Sequence, residues 1–301
     1  MSKEDQRVFH GGRSNPNGVL DTSAIKRKYT DLPYASVSEA QKLDIYLPEN
    51  GEGPFPVIVF IHGGAFMMCD KADNQVRPYL GFLDRAYAVV SVNYRLSGEA
   101  LFPAGILDVK AAIRFLRAQA ERYHLDPRRF AAAGGSSGGN YAAMICAAGN
   151  RPELEDLSLG NAGYSSEVQA GVAWFPPTDF SKMDDHLRAS GLGPADHNAA
   201  DSPESRYLGA PLTELLAEKV QAANPMTYVH SGMPPLFLQH GRIDHVVPYQ
   251  QSAILAAKIE AVAGKDKVRF EILEQADHAD PLFETRENME KVFEFINAAL
   301  K

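Results

Sequence analysis

The sequence predicts an α/β protein with a mostly parallel central sheet and helices on both faces of that sheet. Three observations indicate this class: short apolar runs bounded by turn residues recur along the chain, amphipathic helical patterns alternate with them, and 301 residues suit one large domain. Runs that are apolar throughout are typical of strands covered on both faces. We therefore expect a single domain over residues 1–301.

The strands are expected at five continuous apolar runs and one more alternating run near the C-terminus, namely Pro56–Ile61, Ala88–Val92, Phe130–Ala133, Ala170–Phe175, Pro235–Gln239 and Val268–Leu273. An earlier segment, Lys42–Leu47, alternates polar and apolar residues. This alternation predicts an antiparallel strand at the N-terminal edge of the sheet.

Three segments carry apolar residues at helical spacing. Leu107–Tyr123 stops before Asp126-Pro127, and Gln250–Ala263 ends at Gly264. The last helix is expected to begin near Thr285, which is a suitable N-cap residue.

One stretch interrupts the alternation of strands and helices. Residues 179–227 separate two predicted strands with polar, turn-rich sequence, followed by an amphipathic helical pattern around Leu212–Ala223. A structureless loop of this length is uncommon in a compact domain. We interpret it as a modest cap insertion over the carboxyl ends of the strands, where ligands bind in open α/β sheets.

The composition excludes several classes of partner. The formal net charge of −8 provides no basic field, so nucleic acid and anionic membrane are not expected partners. Residues 1–18 lack the apolar core of an export signal, and no run of about 18 apolar residues occurs. We expect a cytoplasmic protein, although a secreted form with its signal removed would look the same. Cys69 and Cys146 are expected to be buried free thiols.

The most informative segment is RRFAAAGGSSGGNYA, which begins at Arg128-Arg129 and predicts a strand, a sharp glycine-rich turn and a helix. A serine at such an elbow stands clear of the backbone as a nucleophile, and the first amides of the helix point at charge that develops beside it. The pattern G-x-S-x-G fits twice, so these residues alone leave Ser136 and Ser137 both open. The spacing does not match the G-x-G-x-x-G pattern of a dinucleotide site.

Acyl transfer by serine also requires amide donors for an oxyanion. The run PVIVFIHGGAF predicts a buried strand that leads into His62 and two glycines. The candidate donors are the amides of Gly63, Gly64 and Ala65, together with the amide of the residue after the nucleophile. By itself such a sequence is also consistent with a plain tight turn.

The acid and the base are expected after later strands. Asp244 follows the strand Pro235–Gln239, and His278 lies between the last strand and the last helix, which gives the order serine, acid, histidine. Asp244 has an alternative role as a cap of the helix that begins near Pro248. The neighbouring His240 and His245 are expected to be supporting or surface residues.

Other candidate features carry less information. Trp174 ends a strand and is equally consistent with a wall of the substrate pocket and with a core position. The acidic and histidine residues at 184–186 and 196–197 show no ordered ligand pattern, so no metal and no cofactor is expected.

With all four elements in place, the chain resembles the α/β-hydrolase esterases of the acetyl-esterase and feruloyl-esterase-like group, which are related to hormone-sensitive lipase. The segments that carry the resemblance span about Tyr29 to Leu300 and include KLDIYLP, FIHGGAF, GGSSGGN, HGRIDHVVPYQQS and DHADPLFE. Such families commonly have G-x-S-A-G-G at the turn. This register implies Ser136 as the nucleophile and Ser137 as an oxyanion amide.

The sequence departs from the family pattern at three positions. Ser137 replaces the usual alanine, Phe66 stands where many relatives have tryptophan, and Ala279 follows His278 where glycine is frequent. These departures leave every catalytic group in place and affect the shape of the pocket. We expect Phe66 to contact substrate, together with Trp174 in its pocket alternative.

The resemblance implies a cofactor-free serine carboxylic ester hydrolase that acts on a small-molecule ester, such as an acetyl or feruloyl ester, with carbohydrate as one carrier. Alternatives on the same catalytic residues are an amidase or arylformamidase, or a peptidase. A catalytically silent hydrolase fold used for binding is a further alternative, and formation of a homo-oligomer is left open.

Overall fold

The computed structural model describes residues 12–149 and 151–301. The strands are β1 (Lys28–Pro33), β2 (Lys42–Tyr46), β3 (Phe55–Ile61), β4 (Ala88–Val92), β5 (Leu125–Gly135), β6 (Ala170–Trp174), β7 (Leu236–Gly241) and β8 (Val268–Leu273). Within the described residues these eight strands form one sheet in the order β1-β2-β4-β3-β5-β6-β7-β8. Strand β2 pairs antiparallel with both β1 and β4. All the other neighbouring strands, from β4 and β3 across to β8, are parallel.

The α-helices are α1 (Ala104–Ala118), α2 (Ser137–Ala148), α3 (Met183–Ser190), α4 (Pro203–Leu208), α5 (Ala217–Ala222), α6 (Gln250–Ala263) and α7 (Arg286–Ala299). A long 3₁₀ helix covers Asn74–Arg85. Shorter 3₁₀ turns lie at Pro152–Leu154, Leu157–Leu159, Phe180–Lys182, Leu212–Glu214, Pro225–Tyr228, Lys265–Lys267 and Pro281–Glu284.

Helices cover both faces of the sheet, as the sequence predicts. Helices α1, α2 and α6 contribute to one apolar cluster with the strand residues Leu43, Val59 and Val90. The 3₁₀ helix 74–85 and α7 contribute to the other cluster, which includes Ile58 and Phe60. Because neighbouring residues of a strand point to opposite faces, Ile58 and Val59 of β3 enter different clusters. Both faces are buried, which explains the continuous apolar runs.

The predicted strands and the last two helices are all found, most of them close to their expected bounds, but β5 is longer than predicted and begins at Leu125 rather than Phe130. Thr285 is the N-cap of α7 and accepts a hydrogen bond from the Asn288 amide. Strand β1 is not predicted by the sequence, because it is mostly exposed and polar. Since β1 forms the edge of the sheet, the prediction of β2 as the edge strand is wrong by one position. The pattern Leu107–Tyr123 is also too long, since α1 ends at Ala118.

The insertion 179–227 contains α3, α4, α5 and short 3₁₀ turns between β6 and β7. The helix expected around Leu212–Ala223 is interrupted, because Leu215 and Leu216 are extended and Leu216 is 70% exposed. The insertion packs on neighbouring loops: Tyr207 of α4 stacks on Phe66 with ring centroids 4.0 Å apart.

Both cysteines are buried free thiols, as expected. Among the described residues no helix is long and apolar enough to cross a membrane. The N-terminal stretch used to predict the absence of an export signal falls partly on residues 1–11, which lie outside the described residues.

Candidate active site

Ser136 occupies a strained turn between β5 and α2. Its backbone has φ 56° and ψ −125°, and α2 begins at the next residue. The glycines around it are required by close backbone contacts: a Cβ on Gly138 would lie 2.1 Å from the Ile61 carbonyl oxygen, and one on Gly134 would lie 2.5 Å from Gly138. The turn therefore presents a serine side chain at the carboxyl end of β5 while the backbone packs tightly behind it.

The structure brings Ser136, His278 and Asp244 together in one line of hydrogen bonds. His278 Nε2 lies 3.1 Å from Ser136 Oγ, and His278 Nδ1 lies 2.8 Å from Asp244 Oδ2. Ser137 lies inside the first turn of α2, where its hydroxyl is buried with no hydrogen-bond partner among the described residues. The geometry thus separates the two serines that the sequence pattern left equivalent.

Asp244 is fully buried and its carboxylate is surrounded by donors. Oδ1 accepts the amides of Val246 and Val247 at 2.9 and 2.8 Å. Oδ2 contacts His278 and lies 3.3 Å from His240 Nε2. Burial opposes ionisation, but His278 and the hydrogen bond from His240 outweigh it and hold the pKa of the Asp244 carboxyl well below its ordinary value. Asp244 does not cap α6, whose N-cap is Tyr249.

His240 is a buried supporting residue whose ring is held by hydrogen bonds at both nitrogens. Its Nε2 lies 2.8 Å from the Val247 carbonyl oxygen, which can only accept, so this nitrogen carries a proton. Its Nδ1 lies 2.7 Å from Ser252 Oγ. With the Ser252 hydroxyl as donor to Nδ1, the His240 ring is fixed with its Nε2–H on the Val247 carbonyl and 3.3 Å from Asp244 Oδ2.

The loop that carries His278 is tied to the loop that carries Asp244. Asp277 Oδ1 accepts the His278 amide at 2.7 Å and also contacts His245 Nδ1 at 2.5 Å. Asp280 accepts the Leu282 amide at 2.9 Å and so orders the next turn of this loop. Asp277 therefore binds the backbone of His278 and leaves the imidazole to Asp244.

The loop after β3 is braced on its carbonyl side. The Tyr94 hydroxyl donates to the His62 carbonyl at 3.0 Å, and His62 Nδ1 lies 2.8 Å from the Gly63 carbonyl. The Gly64 carbonyl accepts the amides of Met67 and Met68. The C=O and N–H groups of one trans peptide point in opposite directions. Because the Gly63 and Gly64 carbonyls are bound on one side of the loop, the N–H groups of Gly64 and Ala65 point to its opposite side.

Among the described residues, the N–H groups of Gly64, Ala65 and Ser137 have no hydrogen-bond acceptor. Gly63 differs, because its N–H donates to Gln75 Oε1 at 2.8 Å. The prediction of Gly63 as an oxyanion donor is therefore not supported by this geometry. His62 braces the loop through its contacts with Tyr94 and Gly63, and burial lowers its pKa to about 4 so that it is neutral at pH 7.

The two residues expected to contact substrate are both buried. Trp174 is 4% exposed, donates its indole N–H to Gln239 Oε1 at 2.9 Å and packs in the core beneath the sheet. Phe66 is 1% exposed and stacks on Tyr207. The burial of Trp174 favours its core alternative, and Phe66 packs against Tyr207 of the insertion. Their burial does not support direct contact with substrate.

Residues that sequence reasoning missed are the supports around the reacting groups. Phe175 lies edge-on to the His278 ring at a centroid distance of 4.7 Å, and its backbone has φ 38°. An aromatic residue directly after a strand at its carboxyl end was the available signal. Gln75 offered no comparable signal, because its partner Gly63 lies 12 residues earlier in the chain. Among the described residues no group of three or more potential metal ligands occurs.

An eight-stranded, mostly parallel sheet with a serine elbow after β5, an acid after β7 and a histidine after β8 defines the α/β-hydrolase class. A model of the BD-FAE family matches residues 43–259, and the chain belongs to that family.

Named relatives are esterases. The chain is 28% identical over 273 residues to the probable carboxylic ester hydrolase LipM of Mycobacterium tuberculosis. This alignment covers 89% of this chain and 60% of LipM. It is 30% identical over 258 residues to Esterase LipQ of the same organism, with 85% of this chain and 58% of LipQ covered. The chain therefore spans about three fifths of the length of these curated relatives.

Solved structures agree with the fold. A truncated carbohydrate esterase from gut microbiota superposes with a TM-score of 0.80 at 30% identity, covering 94% of this chain and 99% of that one. An esterase from Thermogutta terrifontis superposes with a TM-score of 0.70 at 23% identity and covers 91% of this chain and 95% of that one, which supports the fold alone.

Proposed function

We propose that the protein is a serine carboxylic ester hydrolase in which Ser136 is the nucleophile, His278 the base and Asp244 the acid. The observation that carries this proposal is the line of contacts from Asp244 Oδ2 through His278 to Ser136 Oγ, at 2.8 and 3.1 Å. The names of the relatives support the same class of reaction.

The reaction proceeds in two halves. His278 Nε2 takes the proton of the Ser136 hydroxyl as its oxygen attacks the ester carbonyl, and Asp244 holds the proton on Nδ1. The tetrahedral oxyanion accepts hydrogen bonds from the amides of Gly64, Ala65 and Ser137. His278 then donates its proton to the departing alcohol, which leaves an acyl group on Ser136.

Water completes the cycle by the same route. His278 takes a proton from water, the hydroxide attacks the acyl carbonyl, and Ser136 leaves with the proton returned from His278. Each oxyanion donor contributes on the order of 3 kcal/mol to stabilisation of the transition state. Gly63 is left out of this set because its amide is occupied by Gln75.

We further propose that the insertion 179–227 is a modest cap of this single domain and borders the substrate. Tyr207 of the insertion stacks on Phe66, which directly follows Ala65 in the loop after β3. On the other side, the insertion approaches the loop of Asp244 so closely that a Cβ on Gly193 would lie 2.0 Å from the His245 carbonyl oxygen. The insertion therefore packs on the loops that follow both β3 and β7, where it can limit the size of a bound ester.

The proposed substrate is a short-acyl ester, of acetyl or feruloyl type, carried on a carbohydrate. The similarity to a carbohydrate esterase over 94% of this chain supports the carbohydrate part. Small-molecule esters fit a site whose reacting serine is partly exposed and whose surrounding loops are tightly packed.

The experiment compares p-nitrophenyl acetate, methyl ferulate and a p-nitroanilide with the wild-type protein, with S136A as the control. We expect hydrolysis of both esters, slow or undetectable cleavage of the anilide, and loss of ester hydrolysis in S136A. A preference for the anilide would replace the esterase with an amidase or peptidase. No hydrolysis together with no labelling by a fluorophosphonate would favour a silent binding protein.

A further inference from the structure

A histidine of the insertion reaches the loop that carries Asp244. His197 Nε2 lies 3.0 Å from the carbonyl oxygen of Val246, two residues after Asp244. On the other side of the ring, Nδ1 lies 3.0 Å from Oε2 of Glu204 in α4. The two side chains are 10% and 5% exposed, so this contact is shielded from solvent.

The backbone around His197 is fixed by a second acidic residue. Asp184 of α3 accepts the His197 amide at 2.8 Å and the Asn198 amide at 3.3 Å. Arg188 lies 3.7 Å from the same carboxylate. Asp184 and His197, two of the residues that lack metal-ligand spacing in the sequence, thus form a structural clamp with Glu204, in which α3 holds the backbone of His197 and α4 holds its ring.

The neighbours of the His197 ring favour its charged form. A carbonyl oxygen can only accept, so Nε2 carries a proton toward Val246. The Glu204 carboxylate beside Nδ1 favours a proton there also, although the two atoms are not aligned as a hydrogen bond. Burial alone disfavours the charge, but Glu204, the Val246 carbonyl and Asp184 outweigh it and raise the pKa of His197 to about 9.

One peptide group joins this imidazolium to Asp244. The Val246 carbonyl and the Val247 N–H belong to the same trans peptide and point in opposite directions. The carbonyl accepts from His197, and the N–H donates to Asp244 Oδ1 at 2.8 Å. A cationic donor on the carbonyl polarises the peptide and strengthens its N–H as a donor.

We propose that His197 is a positioning residue for Asp244: the insertion holds the Val246–Val247 peptide through His197, and that peptide orients and stabilises the Asp244 carboxylate. This inference rests on the proposed role of Asp244 as the acid. Because Asp244 orients the His278 ring, the position of the insertion affects how well His278 is aligned with Ser136. Loss of the contacts of His197 should therefore lower the rate of the chemical step.

The test uses H197F, H197Q and E204Q, with D185N as the matched control. Asp185 is exposed on α3 and pairs with Arg188 at 2.8 Å, so D185N removes an ion pair of the same insertion without touching the peptide that binds Asp244. Steady-state kinetics on p-nitrophenyl acetate are measured from pH 6 to 10, with Tm recorded for each variant.

We expect H197F to lose about tenfold in kcat with little change in KM, because a small displacement of a catalytic group is costly. H197Q keeps one N–H donor and is expected to recover part of the loss. Wild type and D185N should lose activity as His197 deprotonates near pH 9, whereas H197Q should lack this alkaline step. E204Q should move the step to lower pH, because the partner charge is removed.

Two outcomes overturn the inference. One is wild-type kcat and pH profile in H197Q and E204Q. The other is a fall in Tm with no change in kcat or in the alkaline step, which indicates a purely structural clamp. If H197F does not fold, H197Q and E204Q decide alone. The variant D244N separates this inference from the proposed function: activity retained in D244N overturns the proposed function, whereas an inactive D244N beside unaffected His197 variants overturns the inference only.

Discussion

Gly63 donates its backbone N–H to Gln75 Oε1 at 2.8 Å, and this contact determines which amides of the loop after β3 remain available. The next two amides, of Gly64 and Ala65, have no acceptor among the described residues. The sequence of this loop predicts three donors, whereas the structure leaves two, and Ser137 supplies another from the start of α2.

Replacement of Gln75 by alanine is expected to lower kcat about tenfold with a smaller effect on KM. The Gly63 amide loses its acceptor, so the loop is less well oriented for an oxyanion that exists only in the transition state. Steady-state kinetics on a small ester check this. N74A is the control, because Asn74 bonds to Asn17 at the surface. Unchanged kcat in Q75A would show that the loop is oriented without Gln75.

Replacement of His240 by phenylalanine is expected to reduce both activity and stability. Phenylalanine removes a donor to the Asp244 carboxylate and leaves the Ser252 hydroxyl and the Val247 carbonyl without their partner. An unsatisfied buried polar group costs about 1–3 kcal/mol of unfolding free energy. Urea unfolding and kcat are measured together. S252A should be milder, since the Nε2–H donor to Asp244 remains. Full activity in H240F would contradict a supporting role.

The buried His62 is expected to make the protein less stable as the pH falls from about 6.5 to 4. Burial lowers the pKa of His62 to about 4 in the folded state, whereas an exposed histidine titrates near 6.5. In this interval the unfolded chain binds a proton at His62 that the folded chain does not, so acid favours unfolding. The loss amounts to at most about 3 kcal/mol.

Urea unfolding at a series of pH values measures this slope. H62Q is the comparison, because glutamine does not titrate, and it should show a flatter dependence of unfolding free energy on pH in this interval. Equal slopes in wild type and H62Q would mean that other groups account for the acid sensitivity.

Much of the site can be read from the sequence because its signals are local. The elbow around Ser136 requires glycines wherever a Cβ would collide with backbone, and those glycines form a visible pattern. The acid follows the buried strand β7 and the base follows the more alternating strand β8, so Asp244 and His278 could be placed by their position after these strands.

The remaining features depend on contacts between distant parts of the chain. Ser136 and Ser137 differ only by one step of the backbone, and that step places one hydroxyl beside His278 and the other inside α2. Trp174 and Phe175 are adjacent at the end of β6, so their order in the chain does not tell which ring reaches His278. Strand β1 was missed because its exposed, polar residues carry no hydrophobic pattern.

The central claim, that Ser136 is the acylated nucleophile, is tested most directly by ester hydrolysis and fluorophosphonate labelling of S136A and S137A. S136A is expected to lose at least about 10³-fold in kcat and to remain unlabelled. S137A keeps the backbone amide and should retain activity within about tenfold, with the label located on Ser136 by mass spectrometry. Full activity in S136A, or a label on Ser137 in the wild-type protein, would contradict the assignment.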